Sequence, residues 1–182
     1  MRPNWFVGLP VEAGRWFTKL VADAPAQVRV FHPEDLHITV AFLGAAGEQR
    51  AMAAWAHSEA LSAAPIEAIL AEVKPMGNPR RPSALSVLLD QGRSEASALI
   101  EALRAPMIET AGAKPDTREP KPHLTVARPQ RRASASDRRK AVAWAEAKRP
   151  LGEAVTLTHL ALYTWSDDRP ARQFRVVASR AL

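Results

Sequence analysis

Two histidines, each followed two positions later by a threonine, stand in near-identical phrases of the chain. The phrases read HITVA at residues 37–41 and HLTVA at residues 123–127. Imidazole ordinarily titrates near pH ~6.5, so at neutral pH one histidine can accept a proton while another donates one. A threonine hydroxyl can donate a hydrogen bond to a phosphoryl oxygen. Displacement at a phosphodiester needs a base, an acid and such donors, and the doubled phrase supplies all three.

The residues around each phrase predict a β-strand, one over residues 36–43 and one over residues 123–126. Residues i and i+2 of a strand share a face at a separation of roughly 6–7 Å, so each histidine faces the same side as its threonine. Two such strands side by side would flank one phosphate. A packed histidine on a half-buried strand explains a single copy well. Two copies in matching Val-Ala contexts favour a shared site.

The sequence does not predict a metal site. Two histidines that hold a metal would need a carboxylate among the ligands. Glu34 and Asp35 precede the first phrase and Glu119 precedes the second, but their spacing matches no known ligand set. We therefore expect the histidines to act without a metal.

Other residues are weaker candidates for the site. Arg128, five positions after His123, could contact phosphate or ribose, and a solvated basic residue is an equally simple interpretation. Strand alternation puts Phe42 on the face opposite His37, which favours core packing. Tyr163 and Trp165 could stack a base, although packing is the simpler interpretation. An RNA track could include the arginines in predicted loops and short strands, Arg29, Arg80, Arg81, Arg131 and Arg132.

The rest of the chain alternates short strands with helices, which predicts an α+β protein with two sheets and outer helices. We predict further strands at residues 4–9, 28–31, 66–73, 84–89, 155–164 and 172–178. Helices are predicted at residues 11–22, 48–63, 94–111 and 137–148, with Pro106 kinking or ending the third and Ser136 or Asp137 capping the fourth. Residues 74–82 and 113–122 are proline-rich and predict loops.

The composition is consistent with a compact protein that binds polyanions. The 182 residues carry 25 Lys+Arg against 19 Asp+Glu, a net charge of +6, which suits a nucleic-acid partner but also occurs in basic proteins that bind none. Cysteine is absent, which excludes disulfides and thiol chemistry. The first residues hold too short an apolar stretch for a signal peptide, and no segment is long enough for a membrane span. We expect a cytoplasmic protein without membrane contact.

Residues 37–44 and 121–128 closely resemble the two signatures of the 2H phosphoesterase superfamily. They are most similar to its bacterial and archaeal RNA 2′,3′-cyclic phosphodiesterases, also called 2′-5′ RNA ligases. The resemblance extends to the opening strand at residues 4–10 and to the closing strands at residues 155–163 and 172–182. One departure is that Glu119, Pro120 and Lys121 fill the stretch where that family often has an aromatic residue, which leaves open how a base would stack.

The resemblance implies a single domain over residues 1–182 with a bilobal fold, in which two antiparallel sheets related by a pseudo-twofold duplication surround a central cleft. It also implies cleavage of the P–O3′ bond of RNA 2′,3′-cyclic phosphate ends to give 2′-phosphomonoesters, with 2′-5′ ligation as the reverse reaction. His37 would protonate O3′, His123 would activate water, and Thr39 and Thr125 would bind the non-bridging oxygens. No cofactor and no metal are implied, the partners are RNA ends or nucleotides with a cyclic phosphate, and we expect a monomer.

Three alternatives stay open at this point. The same fold could act on another substrate, such as 2′-5′ oligoadenylate or a cyclic phosphate of ADP-ribose. The chain could instead be a non-catalytic RNA- or nucleotide-binding module, although a pure binder would need neither proton carrier. A structural or interaction protein has only the alanine-rich helices in its favour.

Overall fold

The computed structural model describes residues 2–78 and 81–182, so Pro79 and Arg80, which sequence analysis included in a loop and an RNA track, lie outside the described residues. In this described part the strands are β1 (Trp5–Pro10), β2 (Val28–Val30), β3 (His37–Gly44), β4 (Ile66–Asn78), β5 (Arg81–Leu89), β6 (His123–Pro129), β7 (Glu153–Leu157), β8 (His159–Trp165) and β9 (Phe174–Ala181). The α-helices are α1 (Arg15–Val21), α2 (Glu48–Trp55), α3 (Arg93–Ala111) and α4 (Ala135–Glu146), and short 3-10 helices span Pro33–Asp35 and Ala56–Ala60.

All strand pairs are antiparallel and form one continuous sheet in the order β7-β4-β5-β6-β3-β1-β8-β9, with β2 also paired to β6. The order divides into two four-stranded halves that meet at β6 and β3, the two strands that carry the repeated phrase. A single residue pair, Ile38 with Leu124, joins them. The predicted α+β class is confirmed, and the two expected sheets are the two halves of this one sheet.

Helices pack against both halves. Helix α3 packs on β3 and is itself covered by α2, while α4 packs on β4 and β5. The apolar residues Leu99, Leu103 and Met107 recur at helical spacing on α3 and are buried in the main hydrophobic core. Ile38 and Leu124 are fully buried in the same core. Because side chains alternate along a strand, the histidines and threonines beside them face the opposite side of the sheet.

Pro106 lies inside α3, which continues to Ala111, so of the two effects predicted from sequence the early end of the helix does not occur. Proline removes one backbone hydrogen bond from a helix. Met107 and Ile108 follow Pro106 directly and are buried. Their packing in the core stabilises the helix although this hydrogen bond is missing.

Several element boundaries differ from the predictions. The predicted loop at residues 74–82 largely extends β4 and β5 as a long hairpin, paired from Lys74↔Ser86 to Asn78↔Arg81. The strand predicted over residues 155–164 is two strands, of which β7 pairs with β4 and β8 with β1. Helix α4 is capped earlier than predicted, by Ser134, whose side chain accepts a hydrogen bond from the Asp137 amide in a capping box.

The pairing of β1 with β3 contains register shifts that change which residues of β3 share a face. Gly8 is paired with Thr39, but Val7 is paired with Ala41, so Val40 has no partner on β1. An extra residue of this kind resets the alternation of side chains. Phe42 consequently points away from the core and is 54% exposed. The prediction that Phe42 packs in the core is therefore wrong, because it assumed an uninterrupted strand.

The described helices do not include a membrane span. Helix α3 is the longest of them at 19 residues. It carries charged residues along its length, and no helix within residues 2–78 and 81–182 is long and apolar enough to cross a bilayer.

Gly92 provides a test of how tightly the turn between β5 and α3 packs on β4. Its φ is +74°, and a Cβ there would lie 2.5 Å from the Glu67 carbonyl oxygen. Gly152 has a similar φ of +63° but no atom within 4 Å of its Cβ position. We expect Gly92→Ala to lower the free energy of unfolding by about 2 kcal/mol more than Gly152→Ala, since both add left-handed strain and only the first adds a clash. Chemical denaturation measures both, and equal losses would contradict this packing.

Candidate active site

The repeated phrases lie next to each other across the junction of the two half-sheets. The antiparallel pair Ile38↔Leu124 sets His37 across from Thr125 and Thr39 across from His123. Both histidines and both threonines line one cleft of about 730 Å³, and Arg128 lines it too. All five residues that sequence analysis proposed for the site therefore meet in a single cleft.

His37 sits in an aromatic surround and is only 9% exposed. Its ring stacks on Phe6 at 4.5 Å between centroids, with Tyr163 at 5.3 Å and Phe174 at 5.6 Å. Nδ1 lies 2.7 Å from the carbonyl oxygen of Asp35. A carbonyl oxygen only accepts, so Nδ1 carries the proton and Nε2 is the ring nitrogen available to a ligand. Burial lowers the pKa of His37 from 6.5 to about 4, the Asp35 hydrogen bond only partly opposing it.

His123 repeats the arrangement in a more open setting. Its Nδ1 lies 2.6 Å from the carbonyl oxygen of Lys121, again two residues earlier in the chain. The same reasoning puts the proton on Nδ1 and leaves Nε2 for a ligand. His123 is half-buried, so water reaches it more readily than it reaches His37.

Gly8 makes room for His37. It is paired with Thr39 on the cleft side of β1. A Cβ at this position would lie 3.0 Å from the Ile38 carbonyl oxygen and 3.3 Å from Cδ2 of His37. Any side chain here would press on the backbone of β3 or on the imidazole, so the position of His37 depends on a glycine in the neighbouring strand.

The two threonines differ in their surroundings. Thr39 is exposed in the cleft. Thr125 is half-buried, and its hydroxyl lies 3.1 Å from the hydroxyl of Ser86, a fully buried residue of β5. Ser86 thus orients the Thr125 hydroxyl. Its role is not predicted from the sequence, in which the one signal is a serine inside the otherwise apolar residues 84–89.

Two arginines stand side by side at one wall of the cleft. Arg29 of β2 is paired with Arg128 of β6, and like charges directly opposite each other on a sheet repel. Arg29 donates a hydrogen bond to Oε1 of Gln173 at 2.5 Å, and the Arg128 guanidinium lies 5.3 Å from the centre of the Phe31 ring. Burial of the Arg128 guanidinium lowers its pKa, and the charge of Arg29 lowers it to a smaller extent. This arrangement favours an anion in the cleft.

Asp35 fixes the strand segment that covers His37. Its carboxylate is fully buried and accepts hydrogen bonds from the backbone amides of Gln173 at 2.8 Å and Phe174 at 3.1 Å. Arg172 adds a positive charge 3.6 Å away, beyond hydrogen-bond distance. Asp35 thus positions Phe174 against the His37 ring while its own carbonyl holds Nδ1 of that ring.

Of the two remaining aromatic candidates, Trp165 lines the cleft and Tyr163 does not. Tyr163 is buried beside His37 and Phe6, and this burial raises its pKa. Trp165 lines the cleft with Arg169, whose guanidinium lies 4.0 Å from the indole centre. Of the arginines proposed from sequence for an RNA track, Arg29 lines the cleft, whereas Arg81, Arg131 and Arg132 do not. Within residues 2–78 and 81–182, no group of three metal-ligating side chains comes together.

The buried neutral state of His37 predicts a specific loss of stability in acid. Because its pKa in the folded protein is lower than in the unfolded chain, the stabilisation is complete above pH 6.5 and is lost as the pH falls toward 4. At about 1.4 kcal/mol for each pKa unit, we expect the wild type to lose about 3 kcal/mol more than His37→Gln between pH 7 and pH 4. Urea denaturation across this range measures it. The exposed His159→Gln serves as the control, and parallel curves for wild type and His37→Gln would contradict the burial.

Comparisons with known proteins identify the family and the fold of this chain. The family model for the 2′-5′ RNA ligase superfamily matches residues 10–169. The fold resembles Escherichia coli LigT in its apo form, with a TM-score of 0.72 at 18% identity over 100% of this chain and 99% of that one. TT0787 of Thermus thermophilus gives a TM-score of 0.71 at 21% identity, over 98% of this chain and 97% of that one.

A more distant likeness is to Usb1 of Kluyveromyces marxianus, with a TM-score of 0.57 at 11% identity over 98% of this chain and 97% of that one. A search of curated protein sequences finds no match. The likeness to these structures concerns the fold, whereas the family model covers most of the sequence, including both histidine phrases. The chain therefore belongs to the 2′-5′ RNA ligase superfamily of 2H phosphoesterases.

Proposed function

We propose that this protein hydrolyses 2′,3′-cyclic phosphate ends of RNA to 2′-phosphomonoesters. The supporting observation is that two imidazoles, each with Nδ1 bonded to a carbonyl and Nε2 left for a ligand, line one cleft with two threonine hydroxyls and Arg128. Membership of the superfamily supports a phosphoesterase. The structures of LigT with 3′-AMP and with ATP support a nucleotide as the ligand of the cleft.

The reaction needs one proton to leave water and another to reach the departing oxygen. Water attacks phosphorus as a base takes its proton, and the P–O3′ bond breaks as an acid protonates O3′. The product carries a 2′-phosphate and a free 3′-hydroxyl. Thr39, Thr125 and Arg128 would hold the non-bridging oxygens as charge shifts among them. Ligation to a 5′-hydroxyl end, giving a 2′-5′ bond, would be this chemistry in reverse.

The environments of the two histidines support a division of roles opposite to the one that the family resemblance implies. The aromatic residues around His37 disfavour its charged form, so at pH 7 its Nε2 is unprotonated, as the starting state of a base requires. His123 is half-buried, so its ring is more accessible to solvent than that of His37. We therefore propose His37 as the base and His123 as the acid that protonates O3′.

The cyclic phosphodiesterase activity is tested with a 2′,3′-cyclic mononucleotide. We expect His37→Ala and His123→Ala each to lower turnover by at least ~10², the scale of losing an acid or base group. His159→Ala and His57→Ala are the controls, and the assay runs in EDTA because we expect no metal requirement. Near-normal turnover in both cleft variants, a 3′-phosphate product, or activity that returns only with a divalent ion would contradict the proposal.

The division of roles is tested with a substrate that has sulfur in place of O3′. A thiolate leaves without protonation far more readily than an alkoxide does, since thiols titrate near pH ~8.5. We expect His123→Ala to recover at least ~10-fold on the sulfur substrate relative to the oxygen substrate, and His37→Ala to recover little. Recovery in His37→Ala alone would restore the assignment that the family resemblance implies.

A further inference from the structure

A second groove of about 370 Å³ adjoins the cleft. Residues 42–46, Arg50 and residues 111–114 line it, so it runs between the loop that follows β3 and the C-terminal end of α3. We call it the Phe42 groove. Phe42 lines both this groove and the cleft, which makes its ring the shared wall between them.

The exposure of Phe42 is unusual within this protein. Three large hydrophobic residues are exposed in the described part of the chain, and the other two, Met52 and Val176, are aliphatic. A scattered exposed residue needs no explanation by itself. Here, however, the register shift around Val40 turns an aromatic ring outward at the mouth of a site that already holds phosphate-binding groups. Exposed aromatic rings beside basic residues are the usual platforms on which single-stranded nucleic acid stacks its bases.

The charge of the groove fits the same ligand. Among the described residues that line it, the charged ones are Arg50 and Lys114, and both are exposed. Neither lies within 4 Å of a carboxylate in residues 2–78 and 81–182. The Arg50 guanidinium rests against Gly112, because a Cβ at that glycine would lie 3.2 Å from its Nη1. Gly112, at φ +66°, ends α3 and leaves room for Arg50 at the groove wall.

We propose that the Phe42 groove binds the part of a single-stranded RNA that immediately precedes the cyclic phosphate end, with a base on Phe42 and a backbone phosphate between Arg50 and Lys114. The inference rests on the proposed function for its substrate class and extends it from a terminal nucleotide to a strand. The protein would then favour an oligonucleotide end over a cyclic mononucleotide that carries the same base.

The test compares two substrates, a 2′,3′-cyclic mononucleotide and a tetranucleotide ending in the same cyclic nucleotide. We expect the tetranucleotide to have the higher kcat/KM in the wild type. The ratio of the two kcat/KM values should fall at least ~10-fold in Arg50→Gln/Lys114→Gln and at least ~5-fold in Phe42→Ala. The salt dependence of tetranucleotide binding should become shallower by about 0.7 for each phosphate contact removed.

The matched control variants carry comparable substitutions at exposed positions outside the Phe42 groove. Arg139→Gln/Lys140→Gln removes two exposed charges from α4, and Val176→Ala shortens an exposed residue of β9. Both should leave the ratio unchanged. Equal losses on the two substrates in the groove variants, or no preference for the tetranucleotide in the wild type, would overturn the proposal.

A binding measurement separates this inference from the proposed function. If the wild type hydrolyses neither substrate, the proposed function fails, and fluorescence anisotropy with a 5′-labelled tetranucleotide bearing the cyclic phosphate still tests the groove. We expect Arg50→Gln/Lys114→Gln to bind it at least ~10-fold more weakly than Arg139→Gln/Lys140→Gln does. Equal affinities of these two variants would overturn the inference.

Discussion

The site depends on one hydrogen bond that the chain makes twice, from Nδ1–H of a histidine to the carbonyl two residues before it. The distances are 2.7 Å at His37 and 2.6 Å at His123. Each bond fixes the tautomer, stops rotation of the ring and leaves Nε2 for a ligand. The sheet supplies the other half of the arrangement, because β3 and β6 meet at the junction of its halves through the single pair Ile38↔Leu124. Two repeated local bonds and one long-range pair are sufficient to bring both rings to one cleft.

The repeat is not chemically symmetric. His37 is enclosed by Phe6, Tyr163 and Phe174, whereas His123 is only half-buried. Asp35 maintains this difference, since its buried carboxylate holds the start of β9 and with it Phe174. An acid and a base that work at one pH need different environments, and the two copies of the motif have different neighbours here. The residues around His37, more than the repeated phrase itself, lower its pKa and keep it neutral.

The sequence was sufficient to predict that the four histidine and threonine side chains share one cleft, because strand alternation is a local property and the phrase occurs twice. It failed where distant residues decide the outcome. Phe42 faces the cleft because β1 skips Val40, and nothing local to β3 reveals that partner. Gln173 and Ser86 join the site through contacts with residues far away in the chain, Arg29 and Thr125 respectively. Pro106 does not end α3 early, because core packing outweighs one missing hydrogen bond.

The claim that both histidines contact the same bound phosphate is tested most directly by ¹⁵N NMR of the five histidines during titration with uridine 2′-monophosphate. We expect the Nε2 signals of His37 and His123 to shift together with one dissociation constant, while their Nδ1 signals, bonded to backbone carbonyls, move little. His32, His57 and His159 should not respond. A response from only one of the two cleft histidines, or two different dissociation constants, would contradict this claim.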